Sequence, residues 1–399
     1  MLSPESPTPV RARNQLLIAE HVQSQRATTR ADLARVTGLS RTAVSSLVTE
    51  LLARGVLVEP DDAPVSADTR ATTGRPAVGL SINPAGGALV GIHLAHDGVR
   101  IAVSDLASTV LAETGHPLDV DHEPGDTLDY AASAALDLLQ DNHIERHSVV
   151  GIGVAVAAPI TVAGHELGPT TVLRDWAGVD IAARLRERTG APVFVGNDAN
   201  LGAIAESRFG AGRGVDDLVY VMLSDGVGAG LILGGRLYEG SAGSAGELGH
   251  VTVQPDGQVC RCGNRGCLET VVGTRALVAA LGSTGARAAG TDDMIALVEA
   301  GHPGAQRVLV DAGRTVGHAL AGICTVLNPR MAIVGGKTAR AGDPLIRGIR
   351  DALSLALPPL DNRSIDVVVG ALGDRAELVG ALSLAGTNAV AQLLSGSNN

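Results

Sequence analysis

Residues 246–270 read GELGHVTVQPDGQVCRCGNRGCLET, and the chain is best read outward from them. His250 stands ten residues before Cys260, and Cys262 and Cys267 follow, so one imidazole and three thiols fall within eighteen residues. A tetrahedral Zn²⁺ site of the Cys₃His kind needs such a set, and Gly263 and Gly266 let the backbone wrap closely round a metal. Glu247 and Glu269 flank the cluster. A four-coordinate zinc needs neither, so two acceptor-only groups beside a rigid metal loop point to a ligand rich in hydroxyls. The plainer readings are a structural zinc loop with solvated glutamates, or a disulfide. Cys260 and Cys262 are too close to pair comfortably with each other, and no secretory signal is evident. Cys324 stands alone in an apolar helical run and reads as a small buried hydrophobe.

A chain of 399 residues with 45% hydrophobic content predicts two or three domains with real cores. Aromatics are 2%, so Ala, Val, Leu and Ile must build those cores. Basic charge is almost wholly arginine, Lys337 being the only lysine. Of the net charge of −11, residues 1–80 carry about +1, from nine Arg against eight Asp plus Glu, which leaves about −12 for the remainder. Only the N-terminal part therefore suits a polyanion. No apolar run reaches the length of a membrane span and the first residues lack a signal peptide's hydrophobic region, so the expectation is a cytoplasmic protein. Residues 1–13, rich in Pro and Ser, read as a disordered tail.

Residues 14–83 read as a winged helix-turn-helix. A first helix over 14–23 precedes a second, capped by Thr28 or Thr29 and running through Val36. Gly38 supplies the turn, and Ser40 caps a third helix with Val44, Leu47, Val48, Leu51 and Leu52 on one face. Its other face offers Arg41, Thr42, Ser45 and Ser46, the side chains a recognition helix presents to base edges in a major groove. An ordinary three-helix bundle is the alternative. Two predicted strands, 56–58 and 77–82, joined by a loop ending Gly74-Arg75-Pro76, favour a wing whose Arg75 suits a narrow minor groove.

From residue 84 onward short β-rich runs alternate with Ala-rich helical stretches. Runs at 88–95, 99–106 and 108–118 predict a meander, a helix over 126–142 and a strand within 148–159 follow, and a helix over 181–189 precedes a strand ending at Asn197-Asp198. A second hairpin at 218–240 and a strand at MAIVGG predict another unit of the same kind. Two α/β lobes facing a cleft are the natural architecture, lobe 1 over about 84–200 plus a C-terminal helix and lobe 2 over about 201–375, within a unit ending near 392.

GSAGELGH with CRCGNRGCLE, preceded by NDAN at the end of a strand, resembles the ROK family of repressors, open reading frames and sugar kinases, specifically its repressor branch with an N-terminal winged helix-turn-helix. The resemblance implies two actin-like, RNase H-like lobes. It implies that Asn197, Asp198, Glu247, His250 and Glu269 contact a sugar, and that His250, Cys260, Cys262 and Cys267 hold one structural zinc per chain. Fixing the imidazole by metal leaves its other nitrogen free to face the ligand.

In the kinase branch the aspartate at the position of Asp198 is the general base on the attacking sugar hydroxyl. The phosphate loops depart from that branch. His93 replaces an aspartate and the run to Asp97 lacks the Gly-Gly-Thr that should follow, while Ser224-Asp225-Gly226 replaces Gly-Thr-Gly. A carboxylate facing polyphosphate costs on the order of several kcal/mol in a partly desolvated cleft. Only Gly335-Gly336 remains of a nucleotide site, and no catalytic residue is assigned. An asparagine usual just before the family's tryptophan is also missing from Pro169–Trp176, its role falling to Arg174 or Asp175 if anything fills it.

The expectation is a sugar-responsive transcriptional regulator that binds operator DNA as a homodimer, with assembly into a dimer of dimers left open. A sugar closing the lobes would move the DNA-binding heads through the linker after the wing. The alternatives are an ATP-dependent sugar kinase that kept a DNA-binding head, and a zinc-stabilised regulator controlled by a protein partner.

Overall fold

The computed structural model describes residues 10–24, 28–60, 78–160, 167, 173–357 and 365–395. Residues 1–9, the loop with Arg75 that was expected to form a wing, and Pro169–Val172 lie outside the described residues.

The first helix, α1 (Val10–Ser24), starts inside the stretch expected to be a tail. Its extra turn has a partner: Arg11 pairs with Glu50, whose carboxylate also accepts from Gln15 at 2.8 Å. Helix α2 (Arg30–Thr37) opens with a reciprocal capping box between Thr29 and Asp32 and ends at Gly38 with φ 69°. Ser40 accepts from the Ala43 amide to cap α3 (Arg41–Ala53). Val44, Leu47, Val48 and Leu51 are buried as the spacing predicts, whereas Leu52 is only half-buried. Strands β1 (Leu57–Val58) and β2 (Ser81–Ile82) pair antiparallel, and a bridge from Thr28 to Leu80 ties them to the turn before α2.

Two five-stranded sheets follow, built to one plan. In lobe 1, β3 (Ala88–Ala95), β4 (Gly98–Asp105) and β5 (Val110–Pro117) form the meander. Helix α4 (Pro124–Asp141) leads to β6 (Val149–Val156), and α5 (Ile181–Thr189) leads to β7 (Val193–Asn197). The order is β5-β4-β3-β6-β7, with β6 parallel to β3 and β7 parallel to β6. Helix α6 (Asp198–Phe209) then crosses to lobe 2. There β8 (Leu218–Leu223), β9 (Val227–Leu233) and β10 (Arg236–Leu237) repeat the meander. Helices α7 (Glu269–Val272), α8 (Thr274–Gly282), α9 (Thr291–Glu299) and α10 (Pro303–Leu327) precede β11 (Met331–Gly335). Last come α11 (Asp343–Ala356), β12 (Asp366–Val369) and α12 (Ala376–Ser395), and this sheet runs β10-β9-β8-β11-β12. Cys324 is buried in the core of this lobe, as expected.

The helix that ends each unit packs on the other lobe: α6 lies on β8 and β9, α12 on β3 and β6, and the two helices cross each other. Gly380 permits the crossing, since a Cβ there would stand 2.1 Å from the Leu201 carbonyl oxygen. Helix α12 is long and apolar enough to cross a membrane by composition, yet it spends that surface on protein. Leu378, Leu382, Ala385, Ala389, Val390 and Leu394 share one apolar cluster with Ile18, Leu33, Leu47 and Leu51 of the N-terminal helices and with Leu89, Ala102 and Leu106 of lobe 1. The head is thus welded to lobe 1 by a common core, where the sequence suggested a linker.

Candidate functional site

Strand β7 ends at Asn197, and the chain turns straight into α6. Asn197 caps that helix, its side-chain oxygen accepting from the Asn200 amide at 3.0 Å while its amide donates to the Ala158 carbonyl at 3.2 Å. Asp198 accepts from the Ala199 amide at 2.7 Å. Its carboxyl is nearly fully buried, and desolvation, helped by Glu377, pushes it up to about 7.

Across the cleft the loop after β10 brings Glu247 and His250, and α7 begins with Glu269. Asn197, Asp198, Glu247, His250 and Glu269 line one pocket of about 40 Å³. All five side chains expected to meet a sugar therefore stand together. Burial, with Glu269 nearby, holds Glu247 above the ordinary carboxyl range. Arg174 and Asp175 are exposed on a short turn and do not line the pocket; the intervening Trp176 is fully buried, donating to the Val120 carbonyl at 2.7 Å.

One wall of the pocket is the cysteine loop. His250 Nδ1 lies 3.6 Å from Cys260 Sγ, Cys262 Sγ lies 3.7 Å from Cys267 Sγ, and the four ligand atoms all fall within 4.8 Å of one another. Zinc–sulfur bonds near 2.3 Å put tetrahedral ligands about 3.8 Å apart, so the cluster fits that ion. The His250 ring turns its other nitrogen, Nε2, to within 3.7 Å of Glu247 on the pocket side. Burial and the neighbouring thiols push Cys267 up to about 12 and raise Cys260, a penalty that a bound divalent cation reverses. Gly266, at φ 65°, is required here because a Cβ would meet the Gln254 carbonyl oxygen at 1.5 Å. All four cysteines are unpaired, which removes the disulfide reading.

Three residues of this region were not singled out as site residues from the sequence. His96, in the tight turn after β3, donates from Nδ1 to the Asp121 carboxylate at 2.5 Å and lines the pocket. Arg261, between two cysteines, reaches Glu269 at 3.0 Å and Asp121 at 3.4 Å, so it ties the cysteine loop of lobe 2 to lobe 1. Arg261 was findable from its position in the motif; Asp121 gave no local signal.

Beyond Asp198 and Met222 a second cavity of about 290 Å³ lies between the turn after β3, the turn at Ser224–Gly226 and Gly336. His93, Asp225 and Gly336 line it. In the head, Arg41, Thr42 and Ser45 are exposed on the first turns of α3. Ser46 is exposed too, though its hydroxyl accepts from Arg11 at 3.0 Å.

The ROK family profile matches residues 89–388. The chain belongs to the ROK family. A xylose repressor of Bacillus spizizenii is 28% identical over 371 residues, covering 93% of this chain and 94% of that protein. A glucokinase of Streptomyces coelicolor is 31% identical over 306 residues, covering 96% of itself but 72% of this chain. The crystal structure of a ROK family transcriptional regulator, a homologue of the Escherichia coli MLC protein, superposes with TM-score 0.75 at 25% identity and covers 96% of this chain and 98% of its own. Regulators of the family thus account for nearly the whole ROK chain, head included, while the glucokinase is spent on about three quarters of it.

Proposed function

We propose that this ROK protein is a sugar-responsive, DNA-binding transcriptional regulator, a repressor of carbohydrate uptake or metabolism genes that releases its operator when a sugar occupies the pocket. The observation that carries the reading is α12. Its first turn holds Glu377 at the wall of the cleft, and its last turn accepts from the Arg54 guanidinium of the head at 2.7 Å through the Leu394 carbonyl. A ligand that binds one lobe arrangement better than the other biases the head through this packed helix. The sugar hydroxyls pair with Asn197, Asp198, Glu247, Glu269 and His250 Nε2. Zinc is held by His250 Nδ1 and the three thiolates, where it supplies the rigidity of the pocket wall. Arg41, Thr42, Ser45 and Ser46 read the major groove and Arg75 the minor, in a homodimer matched to two half-sites.

Operator DNA from the gene's own upstream region, titrated with the zinc-loaded chain by fluorescence anisotropy, tests this. Specific binding that weakens with one sugar of a mono- and disaccharide panel is expected. Specific binding unaffected by every sugar would sink the sensor half and favour control by a protein partner.

One observation favours a second reading, that of a sugar kinase: the buried carboxyl of Asp198 stands where a general base is needed, in a chain with a glucokinase relative. Against it, the adjoining cavity carries Asp225 and Asp97 where phosphates would lie. ADP formation from ATP, Mg²⁺ and hexoses that is abolished in Asp198→Asn would establish the kinase instead.

A further inference from the structure

The pocket of about 40 Å³ and the cavity of about 290 Å³ are neighbours sharing one partition, made by His96, Ala157, Asp198, Met222 and Gly226. A ligand held against Asp198 therefore has most of its free room on the far side of that residue. At the back of the larger cavity sits His93, only 8% exposed, with no partner for either ring nitrogen. Buried polar atoms in folded proteins are nearly always hydrogen-bonded, and an unpaired one at a cavity wall calls for an occupant.

The chemistry of that occupant is restricted. Burial, with Arg100 and Lys337 adding to it, pushes the His93 imidazole down to about 3. At neutral pH it is uncharged, offering one donor and one acceptor, which is the complement of a hydroxyl and a poor match for a phosphate that only accepts. The cavity's two firm cations are already committed. Lys337 pairs with Asp97, and Arg100 pairs with Glu113 at 2.5 Å and with Asp374 at 3.6 Å. Asp225 and Glu377 add further acidity, while Ala95, Val99 and Met222 supply apolar wall. An anion finds no free counter-charge there; a neutral ring with hydroxyls and an apolar face finds both kinds of partner.

We propose that the effector is a neutral disaccharide. One ring is held by Asn197, Glu247, His250 and Glu269, and the second moiety passes Asp198 to fill the cavity and hydrogen-bond His93. This rests on the sugar-sensor reading and specifies its ligand. His93 and Ala95, which line only the larger cavity, are then specificity-determining residues that monosaccharides never reach.

The test is calorimetric titration of the full zinc-loaded chain with glucose, xylose and N-acetylglucosamine, with maltose, cellobiose, xylobiose and chitobiose, and with glucose 6-phosphate. One disaccharide is expected to bind about tenfold or more tighter than its monosaccharide. His93→Leu and the cavity-filling Ala95→Leu should each bring that disaccharide back to the monosaccharide's affinity, with monosaccharide affinity and operator binding unchanged. A monosaccharide that binds as tightly as every disaccharide, a gain that survives both substitutions, or a preference for the phosphorylated sugar would overturn the proposal and leave the sensor reading standing. No binding by any sugar would take down the sensor reading itself, and this inference with it.

Discussion

Replacing His93 with leucine removes a buried, unpartnered polar group from the cleft, and its effect on stability can be worked from the structure. The imidazole sits at about 3 in the folded chain against 6.5 when free. Below pH 6.5 the unfolded chain binds a proton that the folded chain refuses, so stability falls as pH falls, by about 1.4 kcal/mol per unit, until the folded value is reached. At pH 7.5 this drain is absent; at pH 5.5, one unit below the free value, it amounts to about 1.4 kcal/mol. Asp198 works in the opposite sense, since a carboxyl raised to about 7 relieves its burial penalty as pH falls through that value. That contribution, and any loss of zinc in acid, is common to both proteins and cancels in the difference between them. His93→Leu also exchanges two unpartnered nitrogens for apolar atoms, worth about 1–3 kcal/mol at any pH. Urea unfolding at pH 7.5 and 5.5 should therefore find the variant more stable at both, with its advantage larger by about 1.4 kcal/mol at the lower pH. Equal losses of stability between the two pH values in both proteins would refute the argument, as would an NMR titration placing His93 near 6.

Four further predictions concern the head, the cysteine loop, the pocket and the buried Glu206. Arg41→Ala, exposed at the start of α3, should weaken operator binding by about 1–3 kcal/mol with sugar affinity intact; Arg75→Ala should do the same at the wing, both read by anisotropy at matched salt. Cys262→Ser should take bound zinc from one per chain to none by elemental analysis and abolish the sugar response, while operator binding persists, because the head packs on lobe 1 and α12 and not on the cysteine loop. If the ionised form of Asp198 is the one that accepts a sugar hydroxyl, affinity should rise about tenfold from pH 6 to pH 8 as a carboxyl near 7 loses its proton, and Asp198→Asn should flatten that profile in calorimetry. Glu206→Ala should cost about 3 kcal/mol or more in urea unfolding, since this fully buried carboxylate accepts from the amides of Ala211, Ala371 and Leu372.

What could be read ahead of the structure was what local chemistry writes into short stretches. Thr29, one of the two caps offered for α2, and Ser40 before α3 each lie three residues from the amide they cap, and the four candidate metal ligands from His250 to Cys267 span eighteen. The meander of β3 to β5 was visible because each strand's run is long and flanked by turn residues. Residues that act across the cleft left no such trace. Asp121 matters because it meets His96 and Arg261, the latter 140 positions away, and Lys337 because it meets Asp97 in the opposite lobe. β12 is four residues long and was missed for want of length. The start of α1 was misread as tail because VRAR offers no apolar pattern; Arg11 earns its helical turn only by reaching Glu50, 39 residues on.

The largest departure from the sequence reading is also the one that makes signalling physically direct. A head hung on a linker would need the linker to tighten or slacken, and a flexible chain transmits little. Here the helices that close each unit have exchanged lobes, so any change in the angle between the sheets must move α6 against α12 at Gly380, where no side chain cushions the contact. Arg208 of α6 reinforces that contact, donating to Ser383 at 2.9 Å and Thr387 at 3.1 Å and pairing with Glu20 of the head at 3.6 Å. Helix α12 continues without a break into the cluster that contains Leu47 and Leu51 of α3, the helix bearing Arg41. Packed cores do not deform smoothly, so any rotation between the lobes would be expected to carry the head with it. A severed head of residues 14–83 would lose the α12 side of its core and should not be expected to stand in for the intact protein on DNA.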